Sequence, residues 1–237
     1  MSFLKLLCLG VCVPLLGVAQ TNNSDFHLNL ELSTKYMWRG IEYGTNPVAF
    51  PSVNYSHKGF NAFVMGAYAF DGSHKEVDYG LSYTLGWFTL GASDYYFPTE
   101  VGEKDNYFDY KSHSTGHSVE AYLNVMPTKF PMWLTLSTYV HGADKKLNGD
   151  QAFSSYAELG YRHDFTENQN VSLAVGANLN KSFYTDYESG FNVVNIAMKY
   201  AVNVPIGKSF KLPLSASYIL NPYKKKSFFT FSLYYSY

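Results

Sequence analysis

Cysteine is nearly missing from this sequence. Its two, Cys8 and Cys12, lie within the first dozen residues. The chain beyond them has no thiol for a disulfide, a nucleophilic thiolate or a Cys-based metal site. Charge is scarce as well, at 16% of residues, where an ordinary soluble domain carries about 25%. A formal net charge of −1 gives a phosphate backbone no electrostatic hold, which excludes nucleic acid as a partner. After residue 20 no apolar run approaches the ~20 residues that a membrane-spanning helix needs. What is abundant is aromatic: 22 Tyr, 18 Phe and 3 Trp in 237 residues. That length suits a single all-β domain.

Residues 1–19 have the layout of a secretory signal peptide, with Lys5 as the positive n-region and an apolar h-region over 6–16. The small residues Gly17, Val18 and Ala19 place the cleavage between Ala19 and Gln20. No Cys stands at the cleavage point to make the product a lipoprotein. Of the 18 Lys and Arg, Lys5 goes with the leader, leaving 17 against 19 acids in mature residues 20–237, a net of −2.

From residue 25 onward the dominant signal is alternation. In 77–85, Val77, Tyr79, Leu81, Tyr83 and Leu85 share one parity and Asp78, Gly80, Ser82 and Thr84 the other. Successive strand side chains point to opposite faces, so such a segment has one apolar and one small, polar face. Twelve segments read this way: 26–39, 48–57, 60–70, 76–86, 87–96, 116–126, 132–142, 152–163, 169–180, 191–204, 210–220 and 228–237. A membrane barrel and a soluble β-sandwich share the pattern, and connection lengths separate them. Short links (57–60, 86–87, 127–131, 164–168) broadly alternate with longer ones (97–115, 142–151, 181–190). Transmembrane β-barrels have short periplasmic turns and longer extracellular loops. An even count of twelve returns the last strand beside the first and removes the sheet edges. The expectation is an antiparallel transmembrane β-barrel of about twelve strands in a bacterial outer membrane.

The last strand carries an aromatic stripe, Phe229, Phe231, Leu233, Tyr235 and Tyr237, that finishes on the final residue. It resembles the C-terminal signal by which the barrel-assembly machinery recognises outer-membrane proteins. Trp38, Trp87 and Trp133 stand near segment ends, as in interfacial girdles.

A more specific resemblance lies at the first hairpin. Tyr36, Arg39 and Gly40, then Pro47, then Gly59 and Phe60 make an aromatic strand ending in Arg-Gly, a polar loop with a Pro, and a Gly-aromatic turn. In this the chain resembles the TorF-type porin family. The resemblance covers about the first forty mature residues closely and the remainder through hairpin rhythm and the aromatic end. It implies an outer-membrane barrel with a pore, and it brings neither a catalytic residue nor a cofactor. Arg39 can pin its strand end to a lumen or loop carboxylate, with Gly40 permitting the turn; an ordinary rim arginine fits equally.

With the apolar parity toward lipid, the other parity lines the lumen. Glu31, Lys35 and Arg39 then come from the first segment, and Asp78, Asp94 and Glu120 from the fourth to sixth. Glu158 and Arg162 come from the eighth, and Lys199 and Lys211 from the tenth and eleventh. Acids gather on one wall and bases on the other, which orients ions and polar solutes in a narrow pore; charges paired across a closed lumen are the other possibility. Small inward residues such as Gly80, Ser82, Gly91, Gly160, Gly176, Ser215 and Ser217 leave room. Tyr122, Tyr139, Tyr156 and Tyr234 reduce it, or stack against a sugar or nucleoside. The functional expectation is passive passage of small polar solutes or ions. Its alternatives are a non-conducting structural or adhesive barrel acting through its extracellular loops, and a secreted soluble sandwich.

Catalysis has little support. His117 and Ser118 are adjacent on a strand and face opposite sides, Ser114 meets His117 only across a loop, and no Gly-x-Ser-x-Gly elbow exists. His74, His113 and His117 with Asp105 or Asp109 read as solvated loop residues before they read as a metal site. The 97–115 loop, with Glu100, Glu103, Asp105 and Asp109 against Lys104 and Lys111, offers a constriction, a calcium site or a plain solvated surface. Lys224, Lys225 and Lys226 stand where lipid phosphates would meet the outer rim.

Overall fold

The computed structural model describes residues 25–98, 106–207 and 210–237. The leader with its Ala19–Gln20 junction lies outside the described residues, as do Glu100, Glu103, Lys104 and Asp105. Strand β1 (Phe26–Ser33) leads into a small hairpin, β2 (Tyr36–Trp38) and β3 (Ile41–Gly44), that pairs only with itself. The wall continues with β4 (Val48–His57), β5 (Phe60–Ala69), β6 (Lys75–Leu85), β7 (Phe88–Tyr96) and β8 (His117–Val125). It is completed by β9 (Met132–Gly142), β10 (Ser155–Thr166), β11 (Gln169–Asn178), β12 (Asn192–Ile206), β13 (Phe210–Asn221) and β14 (Lys226–Ser236).

These twelve wall strands form one closed antiparallel barrel, β14 pairing with β1 through Glu31↔Tyr234 and Leu32↔Leu233. The Leu28 amide donates to the Tyr237 carbonyl at 3.0 Å and the Tyr237 amide to the Leu28 carbonyl at 2.9 Å. One closed barrel replaces the two-sheet sandwich.

The polarity of the wall is inverted relative to a soluble barrel. Along β8, Ser118, Glu120, Tyr122 and Asn124 are buried inside while Val119, Ala121, Leu123 and Val125 lie on the outer surface. Val53, Val64, Leu90 and Leu173 are exposed on the same outer surface, as are Phe229, Phe231, Tyr235 and Tyr237. Apolar side chains outside and polar ones inside are stable only where the surroundings are hydrocarbon. Connections at one end are short (58–59, 86–87, 126–131, 167–168), and those at the other are mostly longer (34–47, 97–116, 143–154, 179–191).

Three expectations need correction. The first segment does not run to residue 39. Its ladder stops at Ser33, whose hydroxyl donates to the Lys35 carbonyl at 2.9 Å, while Thr34 Oγ1 accepts from the Phe231 amide at 3.0 Å. Hydroxyl side chains that satisfy the backbone locally compete with the sheet, and the chain turns inward there. Trp38 is not an interfacial residue, since it is 5% exposed within the barrel. Trp133 also turns inward, its indole Nε1 donating to Glu158 Oε1 at 3.4 Å. Trp87 is exposed on a short turn.

Candidate lumen site

The β2–β3 hairpin folds into the long-loop end of the barrel and fills it. Its turn, Arg39-Gly40, has positive φ at both central residues (49° and 79°), the two-residue geometry that matches the natural twist of paired strands. A Cβ at Gly40 would run into the Val194 carbonyl, so glycine is required for close approach as well as for conformation. The Gly40 carbonyl accepts from Asn221 Nδ2 of β13 at 3.1 Å.

Arg39 is carried by this turn to the middle of the occluded region. Its Nη1 donates to Glu120 Oε1 at 2.6 Å and its Nη2 to Oε2 at 3.0 Å, a bidentate pair. Nη1 also donates to the Tyr184 hydroxyl at 2.7 Å, and Tyr95 donates to Glu120 Oε2 at 3.0 Å. The guanidinium carbon lies 4.3 Å from the Trp38 ring centre and 4.6 Å from that of Tyr156. Glu120 and Tyr184 are fully buried and Arg39 nearly so. A charge pair so far from water persists because the bidentate geometry is good and the Tyr184 and Tyr95 hydroxyls add further hydrogen bonds, although Arg39 Nε is left without a partner.

Tyr184 arrives from a second inward segment, 179–191, whose short 3-10 turn Phe183–Thr185 stacks on Trp38. That segment is tied to the other long connections. Tyr223 donates to the Thr185 carbonyl at 3.2 Å, Lys224 pairs with Asp186, and Tyr187 meets Asp144. Burial and the Asp144 carboxylate push the Tyr187 hydroxyl up to about 12, so it stays a proton donor.

The lumen charges read from the sequence have different fates. Glu120 and Arg39 meet. Lys35 starts the hairpin instead of lining the wall, and pairs with Glu42 at 2.6 Å. Glu31 faces inward beside the Ser232 and Tyr234 hydroxyls and Lys199, whose Nζ donates to Tyr234 at 2.7 Å. Glu158 accepts from Tyr156 at 2.7 Å and from Asn195 at 3.1 Å. Asp78 is inward and buried, next to Glu76. At the short-turn rim, Arg162 pairs with Asp164 at 2.8 Å and Lys211 donates to Asn168 at 2.8 Å. Of the remaining resemblance residues, Tyr36 packs on Phe50 and His74 inside the mouth, Pro47 precedes β4, and Gly59 (φ 89°) lies in the short turn after which Phe60 opens β5.

Asp94 does not line the lumen. It is paired in register with Tyr79 and Val119, and that row shares the lipid-facing side with Leu81 and Leu90. There it accepts from Tyr79 at 2.6 Å and Tyr110 at 3.0 Å, and lies 3.0 Å from His117 Nδ1. His117 Nε2 faces the Tyr107 carbonyl at 2.6 Å. The described part of the 97–115 loop therefore straps the outside of the wall and does not constrict the mouth. With both ring nitrogens engaged, His117 is no partner for Ser114 or Ser118. Among the described residues no group of three or more His, Cys, Asp or Glu is placed to hold a metal ion.

Sequence parity did not reveal Trp38, Tyr156 and Tyr184 as one box. The available signal was an Arg-Gly turn between an aromatic residue and an isoleucine, which marks a hairpin rather than a continuous strand.

No family model and no curated protein matches the chain. Among solved structures, a chain from a study of the in-meso crystallization of membrane proteins superposes with a TM-score of 0.51 at 10% identity, over 90% of this chain and 83% of that one. OccK8 (OprE) of Pseudomonas aeruginosa gives 0.42 at 13% identity, over 90% and 67%. The outer membrane channel DcaP of Acinetobacter baumannii gives 0.34 at 14%, over 89% and 72%. The first of these shares the fold; the other two superpose too loosely to bear on it. Closure, inverted polarity and alternating connection lengths define the class: a transmembrane β-barrel of the outer-membrane type, with its lumen filled at the long-loop end.

Proposed function

We propose that this barrel is a porin-like passage for small polar solutes or ions in a bacterial outer membrane, shut here by its own hairpin. The observation that carries this reading is the contrast between the two ends of the lumen. The long-loop end is packed with aromatic rings, whereas the inner wall below it also carries small polar side chains such as Ser82, Asn124, Ser172 and Ser217. Asn29 Oδ1, Asn124 Nδ2 and Ser137 Oγ are buried on that wall without a hydrogen-bond partner in the protein. A barrel with a purely structural role gains nothing from polar atoms left unpaired, and a passage gains points of contact for solvent and solute.

On this reading the leader 1–19 exports the chain. The outward stripe from Phe229 to Tyr237 presents it to the assembly machinery, and the apolar surface around Val53 and Val64 meets outer-membrane lipid. Membership of the TorF-type porin family belongs to the same proposal. The density of the plug favours a second reading, a non-conducting barrel acting through its long loops. Planar-bilayer conductance separates the two. Wild-type protein is expected to conduct rarely and a variant lacking 36–44 to conduct in sustained steps, with ion selectivity that shifts on Lys199→Gln. Both proteins folded, inserted and silent would sink the passage.

A further inference from the structure

We propose that the box around Glu120 is a binding site for guanidinium-bearing solutes, occupied in this structure by the chain's own Arg39. The cradle and its occupant belong to different parts of the fold. Glu120, Tyr95 and Tyr156 come from wall strands β8, β7 and β10, whereas Arg39 sits on a hairpin that shares no sheet ladder with the wall. Withdrawing the hairpin removes the cation and leaves the wall's half of the site standing.

That half is shaped for one chemistry. Glu120 offers both oxygens in the plane of a fork and the Tyr156 ring covers one flat face, while the Tyr184 hydroxyl, brought in by the separate inward segment 179–191, accepts a further N–H. A planar cation with donors along two edges satisfies all three, and a compact ammonium does not. Gly176 makes room for the arrangement, because the Tyr156 ring and hydroxyl occupy the space that a side chain there would take. The charge points the same way. Without Arg39, Glu120 is a fully buried carboxylate with a single Tyr95 donor. A buried charge without its partner is strongly destabilising, so the emptied box draws in a cation. Arg39 is thus a tethered ligand at an effective concentration on the order of millimolar, and a free solute must reach that range to displace it. This names the solute class of the passage proposed above, and it rests on that reading only for the consequence that displacement opens the mouth.

The test is chemical rescue. Arg39→Ala, refolded in detergent, is titrated with ethylguanidinium chloride at millimolar concentrations while its thermal unfolding midpoint is followed. A saturable rise of a few degrees is expected, weaker with ethylammonium, smaller in wild type, where the solute must compete with the tethered Arg39, and absent in Arg39→Ala/Glu120→Gln. A folded Arg39→Ala without a saturable rise, or an equal rise in the double variant, overturns the proposal. If Arg39→Ala fails to refold, Arg39→Lys decides by the same titration, since its ammonium leaves the flat slot partly filled; a folded Arg39→Lys that does not respond overturns the site as well. Bilayer recordings keep the two readings apart. Rescue with a silent bilayer retains the site and rejects the passage, and conductance without rescue does the reverse.

Discussion

At Arg39 two structural demands meet on one side chain. It takes a left-handed backbone conformation in the hairpin turn and also supplies the cation for the buried carboxylate of Glu120. Removing one partner of such a pair leaves the other uncompensated, at a cost of about 3–5 kcal/mol. Glu120→Ala is therefore expected to lose stability of that size in urea unfolding from lipid vesicles, and a loss under about 1 kcal/mol, the scale of an exposed pair, would show that the pair is not buried in solution. Asp94 looks equivalent in the sequence but belongs to the lipid-facing row, where Tyr79, Tyr110 and His117 surround it. Asp94→Asn should release the 106–115 strap and leave the lumen intact. Limited proteolysis should then cut within 106–115 sooner than in wild type, with the folded barrel's mobility on unheated gels unchanged; unchanged cleavage would contradict the strap. Alternation identified Glu120 as inward from its neighbours alone. Its pairing with Arg39, 81 residues earlier, was not legible, because parity gives a face and says nothing about which loop re-enters.

Among the elements, the hairpin departs most from its local pattern. Residues 26–39 alternate well enough to read as one strand, yet the Ser33 and Thr34 hydroxyls take up the backbone groups that would have continued the ladder. The other boundaries followed alternation to within a few residues, since a wall strand has a neighbour on each side and a bilayer outside. The hairpin connection is held at its far end by Asn46, whose amide donates to Asp71 at 2.6 Å across the adjacent loop. The Ser73 hydroxyl and amide, together with Asn46, hold the Asp71 carboxyl below its ordinary value of 3.8. Because the folded state titrates lower than the unfolded one, this contact contributes fully above the ordinary value and fades as pH falls through the folded one. An NMR titration of the Ser73 amide should therefore give a midpoint below 3.8. A midpoint at or above that value would remove Asp71 from the list of loop anchors.

For the whole molecule, what matters is which side of the wall meets hydrocarbon. Val53 and Asn54 are chain neighbours near the middle of β4, the first exposed outside and the second half-buried inside. Val53→Arg should cost about 2–4 kcal/mol and impair insertion, as cations do at the bilayer midplane. Asn54→Arg should insert normally and alter only what the lumen admits. Refolding yield into vesicles and urea midpoints for the two variants compare them directly, and equal penalties would reject the inverted polarity.

The sequence alone settled the twelve-stranded, outward-apolar barrel and its two unlike rims. Those properties rest on period-two alternation and connection length, which are local and need no knowledge of distant residues. Tertiary structure alone decided that the first long connection turns inward, that Trp38 and Tyr184 close the mouth, and that Asp94 lies outside. Each depends on contacts between segments brought together by barrel closure, where burial of rings and pairing of a charge outweigh the tendency of a strand to run on.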